Sequence, residues 1–490
     1  MNDENNIQNI LIMCCLYIKP TKNIQNILSV LSFLLVVNVI LLFSVNGNAQ
    51  TLMSGVNLDP GTIVSENMLQ VTGSTTFTLS NGIKVHYKFA DKNKNDVQFK
   101  AISYGGFSLI KDCDFATAQV LSKVMPFFGL GDYSKTDLPK ILAGKTANTS
   151  IHISNLTESI SGSSITKDVE TLLQMIHLHF VKPRFDADAY QVLMKHIDND
   201  IIKRSHTINE KINDSITTTL YGNNNPKQRL FNHDFVKEVS YDKLKAVYKE
   251  RFNNAADFEF FIVGDIQKSV LRTLLEQYIA SIPTNDVKEM WQDNSEPWLQ
   301  DTIDKDIPLK IEVAKSSVRI GYKKAMAYSL KNELIAKALG DILRLRFTEN
   351  LREEVGGTYG LSIQASMLKR PLEQVSLQIA FDCNPDNVQQ FISMASQEIK
   401  KITNGIIAQT DLDKTKANFL KERKLQENYN SYDMSLLINY FREGYNMNAP
   451  KNFKDLVNAI TAKDLQSFAK ALIKDSKSYE IVFSEGVDDR

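Results

Sequence analysis

LRLRFTENLREEVGGTYGLSIQASM, residues 343–367, reads as a helix that stops at a glycine pair and passes directly into a strand. Upstream, Leu330, Leu334, Ile335, Ala338, Leu339, Ile342 and Leu343 recur at the spacing of one helix face, so a helix over 328–353 carries an apolar stripe that packs on a sheet. Downstream, the pattern predicts a strand over 357–368. Arg352 therefore falls at the helix end and Tyr359 at the strand start. On an unbroken helix, two side chains seven residues apart would lie roughly 20° short of two full turns. Gly356 and Gly357 break that geometry, because glycine takes the conformations that reverse a chain at a helix end without steric cost. A guanidinium and a phenol then face one space, where a fixed cationic fork and a neutral hydroxyl donor suit a peptide carbonyl or an oxyanion. The same residues also have simpler roles open to them. Arg352 suits the negative end of a helix or a pairing with Glu353 or Glu354, and Tyr359 suits a half-buried strand position.

Working outward, one order of elements occurs twice. Strands over 76–90 and 97–106, helices near 112–125 and 136–143, and strands over 146–153 and 156–163 open the first unit. A helix capped by Thr166 runs through Phe180, with Asp168 and Glu170 in its positive first turn. Asp186 begins a long helical stretch to about Ser215, and the Gly, Asn and Pro cluster of residues 221–226 follows it as a loop. A helix over 239–252, the strand FEFFIVG (258–264) and a helix over 267–281 complete the unit. The second unit gives strands over 310–323, 357–368 and 374–382, helices over 328–353, 386–404 and 409–427, further helices, and a last strand over 478–484. Pro283, Pro297 and Pro308, scattered among charges, mark 284–308 as a linker, and 50–74 reads as a lead-in. The expected fold is α+β: two homologous αβ units, 75–283 and 309–490, each a mostly antiparallel sheet packed with helices.

Composition narrows the function classes. The 57 Lys and Arg balance 57 Asp and Glu, which leaves no basic excess for a phosphate backbone, so nucleic acid is not an expected partner. Lys19 and Lys22 precede an apolar run from Ile27 to Val45, and Gly47-Asn48-Ala49 follows as a small-x-small site. Residues 1–49 thus read as an export signal, or as a membrane anchor if uncleaved. Export implies a periplasmic or envelope-associated protein. Beyond the leader only Cys113 and Cys383 remain, expected to be buried free thiols rather than a disulfide framework. No G-x-S-x-G surrounds any serine. Ala143-Gly144-Lys145-Thr146 lacks the earlier glycine of a phosphate loop, since position 139 is Pro. A helical zinc site needs two imidazoles four residues apart beside a carboxylate. No two of the seven histidines are so spaced; His177 and His179, separated by two, point to different helix faces and read as packing residues.

The Arg352/Tyr359 segment resembles the substrate-clamping Arg/Tyr motif in the second half of pitrilysin/insulinase-family zinc peptidases. FTLSNGIKVHYK (77–88), the Gly105-Gly106-Phe107-Ser108 strand end and LAGKT (142–146) follow that family's order, so the resemblance runs from about residue 74 to the C-terminus. It implies a half-clamshell of the pitrilysin type. Cleaving members carry H-x-x-E-H before a short F-x-G stretch; aligned on Phe127-Phe128-Gly129, those positions here are Val120, Lys123 and Val124, none of which can take that role. The resemblance therefore implies the non-catalytic half of a zinc endopeptidase. This chain would hold no cofactor and would bind peptides through Arg352 and Tyr359, with Gly356 and Gly357 as the supporting turn. A zinc-bearing subunit of the same family would be its partner. Two other readings stay open: a peptide-binding or scaffold pseudoenzyme without proteolysis, and a detached half with little function alone.

Overall fold

The computed structural model of the protein describes residues 51–309, 315–354, 358–444 and 449–486, with side chains except those of 351–359 and 449–452. Residues 1–50 lie outside this range, and with them the expected leader. Among the described residues no helix is long and apolar enough to cross a membrane.

The first sheet holds β1 (Ile63–Leu69), β2 (Ser74–Leu79), β3 (Lys84–Phe89), β4 (Val97–Tyr104), β5 (Ala147–Ile153), β6 (Thr157–Ser164) and β7 (Glu259–Gly264), side by side as β1-β2-β3-β7-β4-β6-β5. The strand expected over 76–90 is a hairpin instead. Asn81-Gly82 turns between β2 and β3, with Gly82 at φ +83° and the Asn81 amide donating to the carbonyls of Ile279 and Ile282. β1 adds the hairpin's outer strand from within the expected lead-in. The central strand β7 is apolar at consecutive positions because it is buried on both faces. Phe260 packs with Phe99 and Phe180 on one side, while Phe261 and Val263 face the other.

The second sheet holds β8 (Thr302–Leu309), β9 (Ser316–Ala325), β10 (Thr358–Leu368), β11 (Gln374–Cys383) and β12 (Lys477–Glu485), ordered β10-β11-β9-β12-β8. This is the order of β5-β6-β4-β7-β3, strand for strand. In each sheet the first and last strands of the repeat pair in parallel, β3 with β7 and β8 with β12, and the remaining neighbours are antiparallel. The repeat read from the sequence is thus a repeat of topology. Its second copy opens with β8, inside the stretch expected to be a linker.

The longer helices are α1 (Phe115–Phe128), α2 (Val169–Val181), α3 (Ala187–Ser205), α4 (Ile208–Tyr221), α5 (Tyr241–Phe252), α6 (Leu330–Glu354), α7 (Val388–Thr403), α8 (Gln409–Gln426), α9 (Asn430–Glu443) and α10 (Ala462–Ile473). Asp186 caps α3 as expected, accepting from the Ala189 N–H. Thr166 does not cap α2. Its hydroxyl donates to the Asp265 carbonyl, and a short 3-10 turn precedes the helix. The helix expected over 136–143 is one turn, Leu138–Ile141. Of the two thiols, Cys383 is buried but Cys113 is exposed.

Two helices cross between the repeats. Met434 and Leu437 of α9, with Ile438 and Phe441, cover the outer face of the first sheet against Ala90, Ile102, Phe261 and Val263. Reciprocally, Ile212 and Leu220 of α4 cover Ile303, Tyr479, Ile481 and Phe483 of the second sheet, with Trp298 between them. Polar contacts fix the first crossing. Asn430, fully buried, donates to the Asn93 and Asp96 carbonyls, and Asp433 pairs with Lys88 and Lys92 at 2.9 and 2.7 Å. Residues 55–490 accordingly form one compact unit.

This crossing predicts that both sheets melt together. Leu437→Ala, which removes a fully buried side chain, is expected to cost about 2–5 kcal/mol and to lower one cooperative transition in calorimetry. Two separated transitions would contradict the crossing.

Candidate peptide-binding groove

β10 is an edge strand. It pairs with β11 on one side, and among the described residues no strand pairs with the other, so alternate N–H and C=O groups face an open edge. Its side chains alternate as a half-buried strand requires. Ile363, Ala365 and Met367 enter the core, and Ser362, Gln364 and Ser366 are exposed. α6 lies against the core side of β10. Its stripe packs as the spacing predicts, with Leu334, Ile335, Ala338, Leu339, Ile342 and Leu343 buried and Leu330 half-buried at the rim.

Gly340 permits the close approach. A Cβ there would lie 2.6 Å from the Ala365 nitrogen and 3.3 Å from the Gln364 carbonyl carbon, so the helix backbone meets the strand backbone directly. Alongside this contact runs a groove of about 660 Å³ that follows residues 361–367 and is also lined by Lys337, Asp341 and Arg344 of α6 and by Arg423 and Phe453. An extended peptide laid in it would hydrogen-bond to the open edge as one more strand. Sequence reading missed the groove's far wall. Arg423 stands in KERKLQ, which has the composition of a solvated helix face, and only the glycine inside an otherwise apolar stripe hinted at a close contact.

Arg352 lies in the last turn of α6 and Tyr359 is the second residue of β10, so the backbone brings both to one end of this helix–strand pair. Their side chains, and Gly356 and Gly357 altogether, lie outside the described residues.

The positions aligned with a zinc motif fall on α1, which precedes β5 as α6 precedes β10. Val120 and Val124 are buried in the core, and Lys123 is exposed above the Phe231 ring. Two alkyl side chains and an ammonium offer no ligand, so these residues do not fit a metal. His177 and His179 are both buried packing residues. His177 Nδ1 donates to the Tyr278 carbonyl at 2.7 Å, and His179 Nε2 meets the Thr149 hydroxyl at 2.8 Å. Burial lowers both, His179 to about 4.

Elsewhere, carboxylates of Glu158, Asp257 and Glu289 converge within 4.8 Å of one another. Arg251 already stands among them, 2.9 Å from Glu289 and 3.9 Å from Glu158. Burial raises Glu158 from its ordinary 4.5 to about 7, outweighing Arg251 and the Gly106 N–H that favour its charged form.

The topologically repeated αβ pair is a fold shared with M16-type peptidases. Residues 238–419 match the family described as Peptidase M16 inactive domain, and the resemblance to the pitrilysin/insulinase peptidases holds in sequence and fold. "Probable zinc protease PqqL" of Haemophilus influenzae is 23% identical over 333 residues, covering 67% of this chain and 35% of that protein. Among solved structures, the periplasmic protease PqqL from Escherichia coli superposes with a TM-score of 0.75 at 18% identity, covering 90% of this chain and 48% of that one. A peptidase M16 inactive domain from Pseudomonas fluorescens gives 0.68 at 14% identity, covering 85% and 99%. The chain thus spans between a third and a half of the PqqL proteins it matches, and the structural likenesses show fold alone.

Two outcomes follow from this geometry. Gly340→Ala is expected to push α6 off β10, with an overpacking cost of about 1–3 kcal/mol partly offset by about 1 kcal/mol of helix propensity. A lower Tm and weaker binding of extended peptides would be measured; unchanged values would show the close approach to be dispensable. Between pH 4.5 and about 7, folded Glu158 holds a proton that the unfolded chain has released, so its contribution to stability falls as pH rises through that window. Glu158→Gln should flatten the dependence of Tm on pH between 5 and 8, and an unaltered slope would contradict the assignment.

Proposed function

We propose that this chain is the non-catalytic, peptide-binding half of an exported zinc metalloendopeptidase, acting with a partner chain of the same family that supplies the zinc site. The observation that carries this reading is the open β10 edge and its groove, which run along the helix–strand pair that ends in Arg352 and Tyr359. The match to an inactive M16 domain supports it, as does the replacement of a metal motif by Val120, Lys123 and Val124. The chain covers 48% of Escherichia coli PqqL, the size of one half of that protein. Export is supported by the residue pattern before position 50, and a periplasmic location by that of the Escherichia coli relative.

In this reading the metal and the base that activates water belong to the partner. This chain aligns the peptide on β10, Arg352 holds the substrate backbone, and the Tyr359 hydroxyl donates to the oxyanion as the carbonyl is attacked. An oxyanion donor of this kind is worth about 10²- to 10³-fold in rate.

Purification of the chain with its native partner from the cell envelope, followed by zinc and peptidase assays of the pair, tests the proposal. Tyr359→Phe in the reconstituted pair should lower kcat about 10²- to 10³-fold with little change in KM. Full activity of that variant would remove the oxyanion role. Stoichiometric zinc with chelator-sensitive cleavage by the single chain would overturn the division of labour. Peptide binding by a chain that has no zinc-bearing partner would favour a pseudoenzyme.

A further inference from the structure

The groove's charges are mostly spoken for. Along its α6 wall, Glu333 accepts from the Tyr328 hydroxyl, Lys337 pairs with Glu422 at 2.6 Å, and Arg344 pairs with Asp341 at 3.1 Å. Arg423 differs. It forms no ion pair among the described residues, and Glu422 beside it is engaged by Lys337. Its Nη1 donates to the neutral Tyr432 hydroxyl at 2.7 Å, and its guanidinium lies 3.9 Å above the buried Phe453 ring and 5.4 Å from the Tyr432 ring.

These contacts fix the guanidinium plane but do not neutralise it. Stacking on Phe453 sets its tilt, and the bond to Tyr432 sets its rotation, so little side-chain freedom remains to be lost on binding. The Nε and Nη2 edge, unengaged by described residues, is the edge that accepts a carboxylate through two parallel N–H bonds. Arg423 also lines the same groove as the β10 edge, so a ligand that pairs with β10 passes within its reach.

We infer that Arg423 is a carboxylate-recognising subsite, which selects extended peptides carrying an acidic group opposite α8. The inference rests on the peptide-binding reading and adds the substrate chemistry: backbone pairing with β10 gives attachment whatever the sequence, and Arg423 gives the preference. The carboxylate belongs to an Asp or Glu side chain or to a peptide C-terminus, and both present the same planar pair of oxygens. Arg423 stands on α8, whereas Arg352 and Tyr359 belong to α6 and β10, so its loss should alter which peptides are preferred.

The test uses the full chain and fluorescence anisotropy with labelled extended peptides in three matched sets: Asp- and Glu-containing, their Asn and Gln counterparts, and C-terminally amidated forms. A charged hydrogen-bonded contact predicts about 10-fold or more tighter binding of peptides that carry the recognised carboxylate than of their matched neutral or amidated forms, weakening as salt rises from low to high ionic strength. Arg423→Gln should remove that preference, and Arg423→Lys should keep part of it. If amidation weakens binding while the Asn and Gln counterparts bind as the acidic peptides do, the carboxylate is terminal; if the Asn and Gln counterparts bind more weakly whether or not the peptide is amidated, it is a side chain. Equal affinity for acidic, neutral and amidated peptides alike, or a preference that survives Arg423→Gln, overturns the subsite and leaves the groove standing. Failure of every peptide to bind overturns both.

Discussion

A sheet has two faces, and each repeat of this chain brings helices for only one face of its own. That constraint organises the rest. The outer face of the first sheet is closed by α9 from the second repeat, and the outer face of the second by α4 from the first. The exchange explains why β7 is apolar without alternation, and why a fully buried Asn430 and the Lys88–Asp433–Lys92 cluster are placed where the repeats meet. It also decides which parts of the sheets stay open. With helices committed to the faces, β10 stays unpaired on one side among the described residues, and the proposed peptide-binding groove runs along it.

The edge strand and α6 form a pair in which function follows from close approach. Gly340 lets two backbones meet, the groove follows the strand, and the same helix and strand end at the Arg352 and Tyr359 positions. The equivalent pair in the first repeat, α1 and β5, shows the contrast. Ser122 of α1 accepts the Ile153 N–H of β5, and Val120 and Val124 fill the space between helix and core with alkyl groups. At these positions α1 serves packing, whereas α6 lines the groove along β10.

Much of this was legible in the sequence because it rests on periodicity. The stripe from Leu334 to Leu343 and the FEFFIVG strand each state a local structure that the core then uses. β8 escaped because TIDKDIPL turns only Ile303 fully inward; a sheet-edge strand has one partner and one partly covered face, so charge and proline are tolerated and the segment resembles a linker. β1 escaped for the same reason. Thr166 was read as a cap because its residue type suits one, yet its hydroxyl found the Asp265 carbonyl, a partner 99 residues away that no local pattern announces. The groove's charged wall was hidden likewise. Whether an arginine is solvated or aimed into a groove depends on Phe453 and Tyr432, which reach it only in the folded chain.

The central claim is that peptides attach by extending the second sheet at β10. Amide hydrogen exchange along residues 360–368 of the full chain, with and without a saturating extended peptide, measures this directly. New protection at alternate positions of β10, those whose N–H groups face the open edge, is the predicted result. Unchanged exchange across β10 when peptide is bound would contradict the account.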